Sequence, residues 1–382
     1  MRLSENLHRR ELTVKLDGVD VGRLVETTRG TTLFQYSNSW IESGYSISPF
    51  KMPLSREIFQ AEWTPFEGVH GVFADSIPDG WGRLLMDRFM LKTLKRRPED
   101  ISSFQRLMLV NDTGIGALSY EPNFEILSGL AYDDYDELRQ QCDCIYDTEY
   151  DGESADFDRI FSLGGSSGGA RPKLHIKLGG EDWIIKFPSS IDDKNIGFQE
   201  YEYMECAKAC GIETGEIRLL ESELCKGYYA VKRFDREIRE NKLHRIHMIS
   251  VSGLLDVSHR VPNLDYNDLF KIATVLTRDQ RELWKLFRVM CFNVYAHNRD
   301  DHSRNFSFLC RNGVWRLSPA YDLTYSNSIG GEHATTVNGN GVNPGMKEIL
   351  EVARRNNLEV DRAAEIAAEI ENMVACRLKK YL

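Results

Sequence analysis

The stretch HNRDDHSRNFSFL, residues 297–309, follows a long apolar helical pattern, RDQRELWKLFRVMCFNVYAHN, and runs directly into a strand-like segment. Asp300 is followed five positions later by Asn305. On one tight helix-to-strand loop that spacing suits phosphoryl transfer: the carboxylate accepts the proton of an attacking hydroxyl, and the amide oxygen reaches back to a magnesium ion on the phosphates. The ordinary reading of the same residues is a polar turn with an Asx cap. Beyond the loop, FSFL, an Arg-Asn-Gly turn and VWRLS predict a hairpin, and SPAYDL sets Asp322 at its exit. An acid there can share a metal with Asn305, two oxygen ligands for an ion that otherwise keeps water. A helix N-cap is the plainer role for that Asp.

Working upstream, FSLGGSSGGARPK, residues 161–173, reads as a Gly-rich loop ahead of two strands, LHIKL and DWIIKF. Backbone N–H groups of Gly164, Gly165, Ser166, Ser167, Gly168 and Gly169 can face phosphate oxygens, although a glycine run alone is usually a linker. Lys186 lies in the second strand, its ammonium on the face opposite Ile185, where a strand lysine pairs with nucleotide phosphates. A helix over 198–210, ended by Gly211, supplies Glu200 or Glu202 to orient it. Two further strands, EIRLLES and YYAVKRFD, complete a strand, strand, helix, strand, strand order, after which the chain turns helical.

The N-terminal part is built differently. ELTVKLDGVDVGRLVE predicts a hairpin on its Asp-Gly turn, and 3.6-residue periodicity predicts helices over 80–97 and 99–110, with a strand after Thr113. Residues 131–160 hold eleven acids against Arg139 and Arg159, which reads as a solvated helix and exposed loop joining the two halves. Composition bounds the rest. With 382 residues, 42% of them hydrophobic and 28% charged, the chain reads as two or three globular domains. A formal charge of -10 argues against a general nucleic-acid binder. Neither an apolar leader nor an 18-residue apolar run is present, so no membrane association and a cytoplasmic location are expected. Cys206 and Cys210, four apart, can meet on a helix, but packing thiols are the simpler reading.

Four segments together resemble the HipA family, the kinase half of a bacterial toxin–antitoxin pair: GVFADSIPDGWGRLLMDR (71–88), GGSSGGARPK (164–173), YYAVKRFDR (228–236), and HNRDDHSRNFSFL with SPAYDL. The resemblance implies an α+β chain. An N-terminal β-rich and helical subdomain (1–125) and an acidic connector (126–160) precede a protein-kinase-like two-lobed domain. Its N-lobe, with the Gly-rich loop and hinge, spans 161–236, and a helical C-lobe spans 237–382. It implies ATP and magnesium as cofactors and Asp300 as catalytic base. Asn305 and Asp322 would be the metal ligands, and Lys186 and the loop 164–169 would lie on the phosphates. The backbone around Lys232 and Phe234 would meet adenine, and His302 would order the catalytic loop beside the nucleotide. Asp301 stands where a small residue is common in the family.

The resemblance further implies a protein substrate, with an aminoacyl-tRNA ligase as first candidate, a helix-turn-helix antitoxin partner, and DNA contact only through that partner. Autophosphorylation would fall on Ser166 or Ser167. A phosphate there would face the triphosphate, and two unit charges about 4 Å apart repel by roughly 4 kcal/mol at an effective dielectric of 20; Arg171 and Lys173 could then capture it in an outward position. The alternative is a small-molecule kinase or a catalytically weak kinase-like binding module.

Overall fold

The computed structural model describes residues 9–110, 114–123, 134–146, 155–165, 168–327 and 330–382. Its first sheet grows from the predicted hairpin. Glu11–Leu16 and Val19–Glu26 pair antiparallel across Asp17 and Gly18, both at positive φ (46° and 83°), as a tight two-residue turn requires. Thr32–Tyr36, Phe59–Gln60 and Leu118–Glu121 extend it to five antiparallel strands. Alternation buries Leu12, Val14 and Leu16 on one face, against a core that includes Phe34 and Phe73.

The helix Gly80–Leu94 forms as its periodicity predicts and stops at Lys95 in the left-handed conformation. The expected helix over 99–110 does not form as one piece. A short 3-10 turn, Pro98–Asp100, is followed by Ser103–Leu107, because Ser102 and Gln105 close a capping box that restarts the helix there. The strand after Thr113 is also shorter than expected, beginning at Leu118.

The acidic segment contains Tyr135–Tyr146 and Ala155–Gly164, both helical. The first is not solvated all round: Leu138, Cys142 and Ile145 are buried, and Asp136 accepts hydrogen bonds from Ser222 Oγ (2.7 Å), Tyr228 OH (2.7 Å) and Glu223 N–H (2.9 Å). The second packs Phe161 flat on Phe89, with centroids 4.2 Å apart.

The second sheet runs Lys173–Leu178, Glu181–Lys186, Tyr228–Lys232, Ile217–Leu220, all antiparallel, with the helix Ile196–Ala209 against it. Its exit is fastened to the N-terminal half. Asp235 is buried and accepts from Arg233, Arg236 and the Gly116 N–H, and Arg233 and Arg236 both donate to the Gly114 carbonyl.

Beyond the hairpin Arg236–Arg239 and Lys242–Arg245, the C-terminal lobe is chiefly helical. Gln280–Tyr295 is its buried axis, flanked by Tyr266–Thr277, Met346–Arg355 and Val360–Arg377. Beside the helices, a three-stranded sheet of His247–Ser250, Ser307–Arg311 and Val314–Leu317 frames the loop 297–306. No described helix is long and apolar enough to cross a membrane.

Candidate active site

Lys186 ends its strand with the ammonium between two carboxylates. It donates to Glu200 Oε1 at 2.5 Å and to Asp322 Oδ1. Glu200 is buried on the adjacent helix, whereas Glu202 faces the other way and pairs with Lys380 and Tyr381. Glu200 is therefore the orienting acid, a choice the sequence left open. Burial alone would lower the Lys186 pKa, but Asp322 and Glu200 outweigh it and hold the pKa well above the usual lysine value. Asp322 shows the converse: burial pushes its carboxyl up, and Lys186 and Lys173 override that and hold it far below the usual carboxylate range. Asp322 also occupies the left-handed region (φ 54°), a conformation uncommon for a side chain with a Cβ and found where surroundings over-determine the backbone.

The catalytic-loop candidates lie in the C-terminal lobe. Asn305 Nδ2 donates to the Asp300 carbonyl (2.7 Å), so the two residues five apart close one turn on each other. The Asp300 side chain remains 60% exposed, and His302 Nε2 lies 3.9 Å from its carboxylate. Burial, with Asp322 and Asp301 nearby, raises the Asp300 pKa despite the opposing pull of His302 and Arg171. His302 Nδ1 accepts from the Arg304 N–H (3.2 Å) and caps the turn Ser303–Asn305. Asp301 faces inward and is wholly buried. It accepts from Tyr266 OH (3.0 Å), His333 Nδ1 (2.9 Å) and Thr335 N–H (3.1 Å), so its carboxylate is bonded on the inner side of the loop.

The Gly-rich run divides in two. Gly164 ends a helix and Gly165 follows it. Both are buried, where a Cβ would press on Leu85, Leu174 or Phe161, so the loop is shorter than the sequence suggested. Gly168 and Gly169 lie beside Asp79 and Lys173. Ser166 and Ser167 lie outside the described residues. Arg171, a candidate with Lys173 to capture a loop phosphate, makes a two-point ion pair with Asp192 (3.0 and 3.0 Å). Lys232 extends its side chain to Glu181 (2.5 Å); its N–H donates to Glu216 O (2.8 Å) and that of Arg233 to Asp182 O (2.9 Å). Those two N–H groups are thus already bonded within the chain. The Phe234 ring rests against Tyr321, centroids 5.9 Å apart.

Lys173, in the sequence only a candidate to capture a loop phosphate, lies within the same charged cluster. It is the cross-strand partner of Lys186, and its ammonium is influenced by Asp322, Lys186, Glu200 and Asp79, with burial lowering its pKa. The signal was present, because a hairpin turning on Gly179-Gly180 pairs residue 173 with 186 by counting. The donor set near Lys186 is of the hard-oxygen type that a magnesium ion takes. Asn305 and Asp322 offer hard oxygens, and Asp322 is close enough to Asp300 to raise its pKa. Among the described residues no group of three or more His, Cys, Asp or Glu is placed to hold a metal ion. Cys206 and Cys210 are buried thiols.

Residues 165–377 match the family model described as HipA-like C-terminal domain, and residues 12–121 match the HipA N-terminal domain. Two relatives from Sinorhizobium fredii bear the names "Putative kinase Y4dM" and "Putative kinase Y4mE". The first is 26% identical over 156 residues, 38% of this chain and 37% of its own length. The second is 26% identical over 147 residues, 37% of this chain and 33% of its own. The chain thus spans only about a third of the length of these curated relatives. Among solved structures, HipA of the Shewanella oneidensis MR-1 toxin–antitoxin system, in complex with HipB and its operator DNA, superposes with a TM-score of 0.68 at 17% identity. The superposition covers 97% of this chain and 89% of that one, and the fold is therefore shared nearly end to end.

Proposed function

The chain belongs to the HipA family, and from that membership we propose that it is an ATP- and magnesium-dependent serine/threonine-protein kinase of the toxin type. The observation that carries this reading is the Glu200–Lys186–Asp322 chain together with Asp300 and Asn305, which close a single loop. Lys186 and Lys173 supply positive charge where negative charge grows on the transferring phosphoryl group. Asp300, whose pKa is raised, accepts the proton of the incoming hydroxyl. Asn305 and Asp322 would hold a magnesium ion, whose positive charge would offset that of the phosphates. Gly168 and Gly169 cover the phosphates, the chain around Lys232–Phe234 borders the adenine, and His302 keeps the loop turned beside the nucleotide.

The acceptor is a protein Ser or Thr hydroxyl, with a translation-related protein such as an aminoacyl-tRNA ligase as first candidate. An antitoxin restrains the kinase and supplies any DNA contact. The Shewanella relative, solved with HipB and operator DNA, supports that assignment. Ser166 or Ser167 is the site of self-modification that weakens ATP binding. Incubating the purified chain with γ-labelled ATP and magnesium, followed by peptide mapping, tests the reading. Label on the protein that disappears when magnesium is chelated is expected. An unlabelled protein that still binds a partner would favour a kinase-like binding module instead.

A further inference from the structure

Asp79 begins the helix Gly80–Leu94, yet its side chain caps none of that helix's N–H groups. A carboxylate at this position ordinarily turns onto its own helix. Here Oδ1 accepts the Gly169 N–H, at the end of the Gly-rich run, and Oδ2 accepts Arg304 Nη1, on the catalytic loop. His259 Nε2 stands 3.5 Å from the same Oδ2, and the His259 ring lies against that of His302, centroids 5.3 Å apart. In return the Gly169 carbonyl receives the Trp81 N–H at 2.9 Å, so the neighbouring loop caps the helix. Gly80 has a φ of +46°, and a Cβ on it would overlap Gly169 O and Ala170. Arg304 also reaches the carbonyls of Ala74 and Ile77, both at 3.3 Å. The Asp79 and Arg304 side chains are each only 19% exposed, so neither charge is readily satisfied by water if the other is removed.

We propose that Asp79 is a positioning residue that ties the end of the Gly-rich loop to the catalytic loop, making the two loops one mechanical unit with the N-terminal half of the chain. The segment Gly168–Lys173 and the loop carrying Asp300 then hold their arrangement together. If Asp79 releases either, both loosen. The role in phosphoryl transfer rests on the kinase reading above, but the tie itself does not.

Amide hydrogen exchange on the full chain, read in peptides spanning Gly168–Lys173 and Arg299–Phe306, tests the tie. Asp79→Asn keeps the size and one acceptor but removes the charge, and both peptides should exchange about tenfold faster, the scale of one lost charge-assisted hydrogen bond. Arg304→Gln breaks the tie from the opposite loop and should speed exchange at Gly168–Lys173, a segment it does not touch directly. Gly80→Ala should do the same without altering any charge. In kinetics, Asp79→Asn should lower turnover more than it weakens binding of a non-hydrolysable ATP analogue, a split that helix capping alone would not produce. Unchanged exchange at Gly168–Lys173 in Arg304→Gln overturns the proposal, even where the Asp79 variants fail to fold. Coupled exchange in a wild type that transfers no phosphate would sink the kinase reading and uphold the tie.

Discussion

Asp300 and Asp301 are consecutive on one loop, and their surroundings differ in almost every respect. The Asp300 side chain is 60% exposed, and His302 Nε2 stands 3.9 Å from its carboxylate. Asp301 is enclosed by Tyr266, His333 and Thr335, each within 3.1 Å, and Tyr266 is itself held by Asn293 at 2.9 Å. The inner face of the loop is thus anchored by a satisfied buried carboxylate, which leaves the outer carboxylate under-bonded and available for chemistry. A reactive group needs such a rigid support, because a base displaced by an ångström loses much of its effect.

The comparison breaks most visibly at the inner residue. Asp301→Ala would leave a phenol, an imidazole and a backbone N–H without their buried acceptor. We expect a loss of about 3–5 kcal/mol in stability, read from urea unfolding, together with loss of activity. Next in size is the ion-pair cluster around Lys186. Lys186→Met should lower kcat/KM for ATP by about 10²–10³-fold, as removal of one preorganised transition-state contact does, while stability changes less than in Asp301→Ala. Smaller still is Asn305→Ala, which should raise the magnesium concentration needed for half-maximal activity by about tenfold, the scale of one lost ligand contact.

The smallest effect concerns buried groups remote from Asp300. Burial lowers the pKa of His247, and likewise of His70, from 6.5 to about 4. The unfolded chain therefore takes up protons that the folded one refuses. Stability is full above pH 6.5 and falls as pH drops from 6.5 toward 4. Moving from pH 7 to 5.5 should cost about 1 kcal/mol per histidine, and His247→Gln should flatten that dependence by its share.

Much of this was legible in the sequence where the signal is local. The Asp17-Gly18 hairpin, the helix from Gly80 and the Asp300-to-Asn305 loop all follow from spacing within a few residues. The helix expected over 99–110 broke because Ser102 and Gln105 form a capping box inside an otherwise helical pattern. Phe161–Gly164 adjoins the glycines and reads with them as loop, yet it is the last turn of the helix Ala155–Gly164, with Phe161 packed on Phe89. Glu200 and Glu202 are two apart on one helix, and only the packing against the sheet selects the first. Asp79 lies 90 residues from Gly169 and 225 from Arg304, so no local pattern could reveal its partners. The burial of Asp301 depends on Tyr266 and His333, 35 and 32 residues away in sequence, so its inward turn is not visible in the loop alone.

The central claim is that the outer carboxylate of this loop is the base of a phosphoryl transfer powered by ATP. The most direct measurement is label transfer from γ-labelled ATP with magnesium by the wild type and Asp300→Asn, alongside equilibrium binding of a non-hydrolysable ATP analogue to each. The account predicts at least about a 10²-fold loss of transfer in Asp300→Asn, with analogue affinity and unfolding stability close to those of the wild type. Full transfer by a folded Asp300→Asn variant would contradict it.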